Sequence, residues 1–235
     1  MNIKFAKNPL SWITSLSLGL IVTTPLYALE FPSAPDKDPP QSTAGAGVRG
    51  TPCIAPGTLP LQAFALGEKN KINTASSQPQ IFVYLPKTKA EFIEFSLTKT
   101  INGEDENVNQ QKIPISKGDH VIKIQIPYNA VLEDNQIYNW SVSLLCSPRK
   151  PTGGKTFEKG TLTKVTLSPE TKTQLVKNPI ILDKARIYAE QGIWSETVSL
   201  VSQVRNSQPQ EWNELLTSVG LEKYADKEFY QVSLW

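Results

Sequence analysis

Ile137-Tyr-Asn-Trp-Ser-Val-Ser-Leu-Leu-Cys146 sends Tyr138, Trp140, Val142, Leu144 and Cys146 to one side of an extended chain and Asn139, Ser141 and Ser143 to the other. Strict alternation over ten residues is the mark of a strand with one dry and one wet face. The same period recurs on both sides of it. Ile93, Phe95 and Leu97 alternate with Glu94, Ser96 and Thr98, and Ile122, Ile124 and Ile126 alternate with Lys123 and Gln125. Ile81–Leu85, closed off by Gln78-Pro79 and Pro86, is apolar throughout, and residues 156–167 add a strand after Gly153-Gly154. Asn102-Gly-Glu-Asp-Glu-Asn107 and Ser116-Lys-Gly-Asp119 read as turns, and an ambiguous strand lies near Leu59 to Leu66. Five or six strands of this kind predict an antiparallel β-sandwich of immunoglobulin-like size. The order of Cys and Trp differs from the immunoglobulin pattern, so the topology stays open.

After Leu167 the period changes to about 3.6. Ser168-Pro169 supplies a capping hydroxyl and a proline at the first helical position, and the helix it opens should end before Asn178-Pro179. In Tyr188-Ala-Glu-Gln-Gly-Ile-Trp-Ser-Glu-Thr-Val198 one helix ends and another begins at Gly192. Ile181, Ala185, Tyr188 and Ala189 share a face before it; Trp194, Val198, Val201 and Val204 share one after it. Helices joined by so short a corner lie antiparallel, and Tyr188 and Trp194 are expected to fill the closed end. Ser207-Gln-Pro209 then opens a capping helix carrying Trp212, Leu215, Leu216 and Val219, which Gly220 ends, with Leu221 folding back on Leu216. The fold class is therefore mainly β plus α: a sandwich followed by a C-terminal helical hairpin and capping helix.

Lys4 and Lys7, the apolar run from Leu10 to Val22 and Thr23-Thr-Pro-Leu-Tyr-Ala28 form a signal-peptide pattern. The run falls short of the about 20 apolar residues of a membrane span. Residues 1–28 are thus read as a signal peptide, 29–57 as a flexible linker rich in Pro and Gly, 58–167 as the sandwich, 168–221 as the helical region and 222–235 as an unassigned tail. Export places the protein in the periplasm or outside the cell, with no stable membrane span once the signal is gone. The whole chain has a formal charge of +2 from 24 basic and 22 acidic residues, and loss of Lys4 and Lys7 brings it to zero. A neutral protein lacks the positive footprint that nucleic acid requires.

In an oxidising compartment the two cysteines, Cys53 and Cys146, are expected to form a disulfide. With two Cys and a single His, a tetrahedral zinc site is out of reach without carboxylates. His120 follows Lys117-Gly-Asp119 and reads as a surface-loop residue rather than a general base. Glu104, Asp105 and Glu106, like Glu133 and Asp134, lie in turn-rich stretches where solvated charge is the ordinary state. No zinc-protease helix, phosphate loop, dinucleotide fingerprint or nucleophile elbow occurs in the sequence. No catalytic residue, metal ligand or cofactor is assigned. Among the aromatics, Tyr84, Tyr128 and Trp140 are candidates for lining a carbohydrate or peptide site. Strand parity puts Trp140 in the core, and Phe82 and Tyr84 join it if the helices cover the second face of their strand.

The hairpin resembles a single tetratricopeptide unit: Tyr188, Gly192, Trp194, Val201, Val204 and Pro209 hold that repeat's spacings, while Lys184 and Thr197 depart from it. One unit cannot build the concave groove of an array. Ile81-Phe-Val-Tyr-Leu-Pro86, Tyr138-Asn-Trp140 leading to Cys146, the Tyr188 to Trp194 corner and Trp212-Asn-Glu-Leu-Leu-Thr-Ser-Val-Gly-Leu221 together resemble the exported cyanobacterial family known as domain of unknown function 928. The resemblance implies export and carries no functional residues. The expected role is a non-catalytic binding or assembly module at the cell envelope, with an envelope or secreted protein as partner. The alternatives are a hydrolase of envelope or extracellular polysaccharide using loop carboxylates, or a purely structural part of a surface assembly. Replacing Cys53 or Cys146 with Ser should lower the melting temperature under oxidising conditions, since closing a loop this long removes about 4 to 5 kcal/mol of unfolded-chain freedom. An unchanged melting temperature in both variants contradicts the bond.

Overall fold

The computed structural model describes residues 29–32, 53–67, 69–116, 118–146 and 157–230. The signal segment, most of the linker, Gly153-Gly154 and residues 231–235 lie outside the described residues. In chain order the strands are β1 (Gln62–Ala63), β2 (Lys71–Thr74), β3 (Gln80–Leu85), β4 (Phe92–Ile101), β5 (Glu104–Pro114), β6 (His120–Gln125), β7 (Ile137–Leu145), β8 (Phe157–Lys164) and β9 (Phe229–Tyr230). The helices are α1 (Pro169–Lys177), α2 (Ile181–Glu190), α3 (Trp194–Val204) and α4 (Pro209–Ser218), with a 3-10 turn at Glu222–Tyr224.

The strands form a five-stranded sheet in the order β2-β8-β7-β4-β5 and a four-stranded sheet in the order β1-β3-β6-β9. Pairing is antiparallel except at two edges, β2 with β8 and β6 with β9. Each parallel pair joins strands far apart in sequence, as the long crossover of such a pairing demands. The sandwich is thus mixed rather than wholly antiparallel.

Strand β3 sits in the middle of the molecule. Ile81, Val83 and Leu85 on one side and Phe82 and Tyr84 on the other are all buried. With Ile93, Phe95 and Leu97 of β4 and Tyr138, Val142 and Leu144 of β7, they belong to one continuous core. The second face is covered from the C-terminal half: the Tyr84 ring lies 4.9 Å from Tyr224, Phe82 lies 5.9 Å from Phe229, and Phe64 lies 6.2 Å from Trp212. Trp194 donates its indole N–H to the Phe64 carbonyl at 2.7 Å. The architecture is therefore three layers: sheet, sheet and helices. Burying each of these rings contributes roughly 1.5 to 3 kcal/mol, far more than exposed ion pairs do.

Local sequence sets the helix ends as expected. Ser168 Oγ accepts from the Thr171 N–H at 3.1 Å, with Pro169 opening α1. Gly192 (φ 68°) and Gly220 (φ 75°) take the left-handed conformation that ends α2 and α4. At each, the residue after the glycine reaches back five positions, Ile193 N–H to Tyr188 O at 2.9 Å and Leu221 N–H to Leu216 O at 2.8 Å.

Several expectations are corrected. Leu29 and Phe31, read as linker, are buried, and Phe31 stands edge-on to Trp194 with ring centroids 5.1 Å apart. Glu104 to Asn107, read as turn, begins β5; the turn itself is Asn102-Gly103, both with positive φ. Polarity on both faces hid this strand, whose partner β4 fixes it. The tail carries the 3-10 turn and β9, whose Tyr224 and Phe229 pack on the middle sheet. Trp140 lies six residues, roughly 20 Å of extended chain, from Cys146 and sits over Gly160 instead, donating to the Thr161 carbonyl at 3.2 Å. A Cβ at Gly160 would come within 2.6 Å of the Trp140 ring and collide with the Asn70 carbonyl. Gly160→Ala should therefore cost about 1 to 3 kcal/mol in denaturant unfolding; a wild-type midpoint contradicts this packing.

Candidate functional site

The Cys53–Cys146 bond forms, with Cα atoms 5.4 Å apart. It holds the segment before β1 against the end of β7, and Cys53 O accepts from the Lys89 N–H and the Thr88 hydroxyl. Among the hairpin residues, Trp194 and Trp212 are buried, and Gly192 turns the corner with φ 68°. Tyr188 is only partly covered and lines a cleft instead of closing the hairpin with Trp194.

That cleft, about 400 Å³, opens where α2 and α3 meet the sandwich. Its walls are Lys184 and Tyr188 of α2, Ser195, Glu196, Ser199 and Leu200 of α3, Ser76, Gln78, Pro79 and Gln80 before and at the start of β3, and Gln125 at the end of β6. The groups are pre-ordered by a relay of uncharged hydrogen bonds. Ser195 Oγ donates to the Gln80 carbonyl at 3.2 Å, and Ser199 Oγ donates to Gln80 Oε1 at 3.2 Å. Gln80 Nε2 donates in turn to Gln125 Oε1 at 3.1 Å, and Gln125 Nε2 donates to the Gln78 carbonyl at 2.6 Å. Each amide is thereby fixed in one orientation.

Glu196 is the one carboxyl in this cleft. Its Oε1 accepts from Thr74 Oγ1 at 2.7 Å and from the Ser76 N–H at 2.9 Å, bolting the first turn of α3 to the end of β2. Asn73 adds a bond to the Gly192 carbonyl at 3.3 Å. Glu196 Oε2 is buried and has no hydrogen-bond partner. Burial pushes the Glu196 carboxyl above its ordinary 4.5, against the opposing pull of Thr74 and neighbouring backbone N–H groups. Burial, with the Glu196 charge nearby, likewise raises the Tyr188 phenol. The site offers a carboxyl with a free buried oxygen, an aromatic ring, hydroxyls and locked amides. That donor and acceptor set suits a polar ligand, and a bound donor would satisfy Oε2.

The other candidates fall elsewhere. Tyr84 and Trp140 are core, and Tyr128 is 82% exposed on a loop. Tyr84 donates to Asp119 Oδ1 at 2.9 Å, and Asp119 also takes Lys227 at 3.0 Å and Lys87 at 3.4 Å, which together hold its carboxyl below the usual range. His120 is a strand residue, half-buried with its ring 5.0 Å from Tyr230, and not a loop residue; burial lowers its pKa. Of the turn carboxylates, Asp105 accepts from Thr100, Glu133 pairs with Lys99 at 2.7 Å, and Asp134 pairs with Lys164 at 2.9 Å. A larger hollow of about 570 Å³ on the outer face of the five-stranded sheet is floored by the Ser, Thr and Asn side of β4, β7 and β8. Glu196 stands in a first helical turn, where an acid is ordinary, so its residue type and spacing do not mark it in the sequence.

The sign of the Glu196 shift gives a test. A folded-state pKa above the unfolded one means the unfolded chain ionises first as pH rises, so this group's contribution to stability falls from about pH 4 upward. Glu196→Gln keeps the acceptor and removes the titration. The melting temperature of the variant relative to wild type should rise between about pH 4 and pH 7; a difference independent of pH contradicts the burial of the carboxyl.

Comparison with protein families matches residues 44–229 to the Domain of Unknown Function (DUF928) model. Comparison with curated proteins finds no match.

Proposed function

The chain belongs to the DUF928 family, and we propose that it is a non-catalytic binding module, exported to the cell envelope, that engages an envelope or secreted protein through the cleft between the helices and the sandwich. The observation that carries this reading is the unpartnered Glu196 Oε2 in a cleft where Ser195, Ser199, Gln80 and Gln125 are already fixed by hydrogen bonds. An unmet buried acceptor beside a locked amide relay is a recognition element waiting for one donor, such as a backbone N–H or a hydroxyl. The signal-peptide pattern and the disulfide support an oxidising compartment.

The sheet edge is the weaker route to a partner. Strand β5 is an outer strand, yet Leu97 pairs with Asn109 and Thr98 with Asn107, leaving Val108 as a bulge. A bulge twists an edge away from an incoming strand. Hydrolysis needs an acid and a base together, and the cleft at Glu196 contains one carboxylate.

Crosslinking and pull-down of the mature protein from its own envelope fraction tests the reading, with Ser199→Trp as the cleft-filling variant. A reproducible protein partner should be captured by wild type and at least tenfold less by the variant at equal melting temperature. Equal capture by both removes the cleft from the account. Retention on polysaccharide with no protein captured overturns the partner.

A further inference from the structure

Leu29 to Pro32 crosses the helical layer as a short strap. Leu29 and Phe31 are buried, and the Phe31 N–H donates to Ser218 Oγ at 3.1 Å. The Leu29 backbone nitrogen lies 3.2 Å from Glu211 Oε2, a buried contact on a residue only 3% exposed. The other oxygen, Oε1, takes Arg186 Nη2 at 3.1 Å, and Arg186 Nη1 reaches Asp183 at the same distance. One guanidinium is thus shared by two carboxylates. The triad of Asp183, Arg186 and Glu211 is one positive charge short of balance, and the shortfall sits at the buried end, where, among the described residues, a backbone nitrogen answers Oε2.

The residues directly before this nitrogen are Pro25-Leu-Tyr-Ala28, the small-residue end of the signal-peptide pattern. We propose that a leader-removing endopeptidase cleaves the Ala28–Leu29 bond during export, and that the α-ammonium released on Leu29 becomes the missing counter-ion of Glu211. Water adds across the peptide bond: Ala28 leaves with the new carboxylate, and the Leu29 nitrogen takes up protons to become an ammonium. The inference rests on the exported reading above. The geometry selects this bond. A cut further along would remove the buried Leu29 side chain, and a cut further back would leave an amide, a weaker partner for a buried carboxylate than an ammonium. Because Leu29 is buried, cleavage precedes docking of the strap, and processing thereby completes the helical layer.

Two measurements test it. The full 235-residue chain is expressed in an exporting bacterium and the recovered protein is sequenced from its N-terminus. Leu29 is the expected first residue. Another processed start overturns this inference and leaves export standing; an intact Met1 overturns both. Chains beginning at Leu29 and at Tyr27 are then melted in wild-type and Glu211→Gln backgrounds. The Tyr27 start should lower the melting temperature by several degrees in wild type and by much less in the variant; equal shifts in both, or none in either, overturn the proposal. Should Glu211→Gln fail to fold, acylation of the Leu29 amine in the unmutated protein decides. Protection relative to a free peptide amine is expected, and labelling at the free rate contradicts the pairing.

Discussion

Strand β3 cannot leave either face to water. With Ile81, Val83 and Leu85 on one side and Phe82 and Tyr84 on the other all buried, it needs a sheet beneath and a second layer above. The helical region and the segment after it, as far as Tyr230, supply most of that layer. Trp194, Trp212, Tyr224 and Phe229 are the side chains that meet the upper face or the chain just before it. Electrostatics is secondary here: most of the ion pairs have at least one well-exposed partner, where such pairs contribute about 0 to 1 kcal/mol.

The cleft follows from the same constraint. A helical layer laid on a sheet fits tightly where rings interlock and loosely at its margin, and at that margin the polar ends of β2, β3 and β6 face the first turns of α3. The Thr74–Glu196 and Ser195–Gln80 bonds pin helix to sheet there. The groups that fasten the layers thus also furnish the recognition surface, and Glu196 has one oxygen in each role.

The sequence made much of this legible. Ser168-Pro169, Gly192 and Gly220 marked helix ends by local chemistry that needs no tertiary partner. The alternation in β4, β6 and β7 marked strands because one face of each meets the core, and the unbroken apolar run of β3 announced two covered faces. What escaped depends on partners distant in sequence. The first four residues of β5 are polar on both faces and extend because β4 pairs with them. Strand β2 is four residues long and takes its direction from β8. Leu29 and Phe31 looked like linker among prolines and become core only when Trp194 and Glu211 are in place. Glu196 and Gln80 come from elements over a hundred residues apart, and no spacing rule connects them.

Helices and sandwich, packed on the two faces of β3, should form one cooperative body. Native-state hydrogen exchange on the mature protein measures this directly, because it reports the opening free energy of each amide. The account predicts that the amides of α3 and of β3 open at the same free energy and with the same denaturant dependence, in one global step. Exchange of α3 at markedly lower free energy, with β3 still protected, would show that the helical layer is a separable appendage and contradict the account.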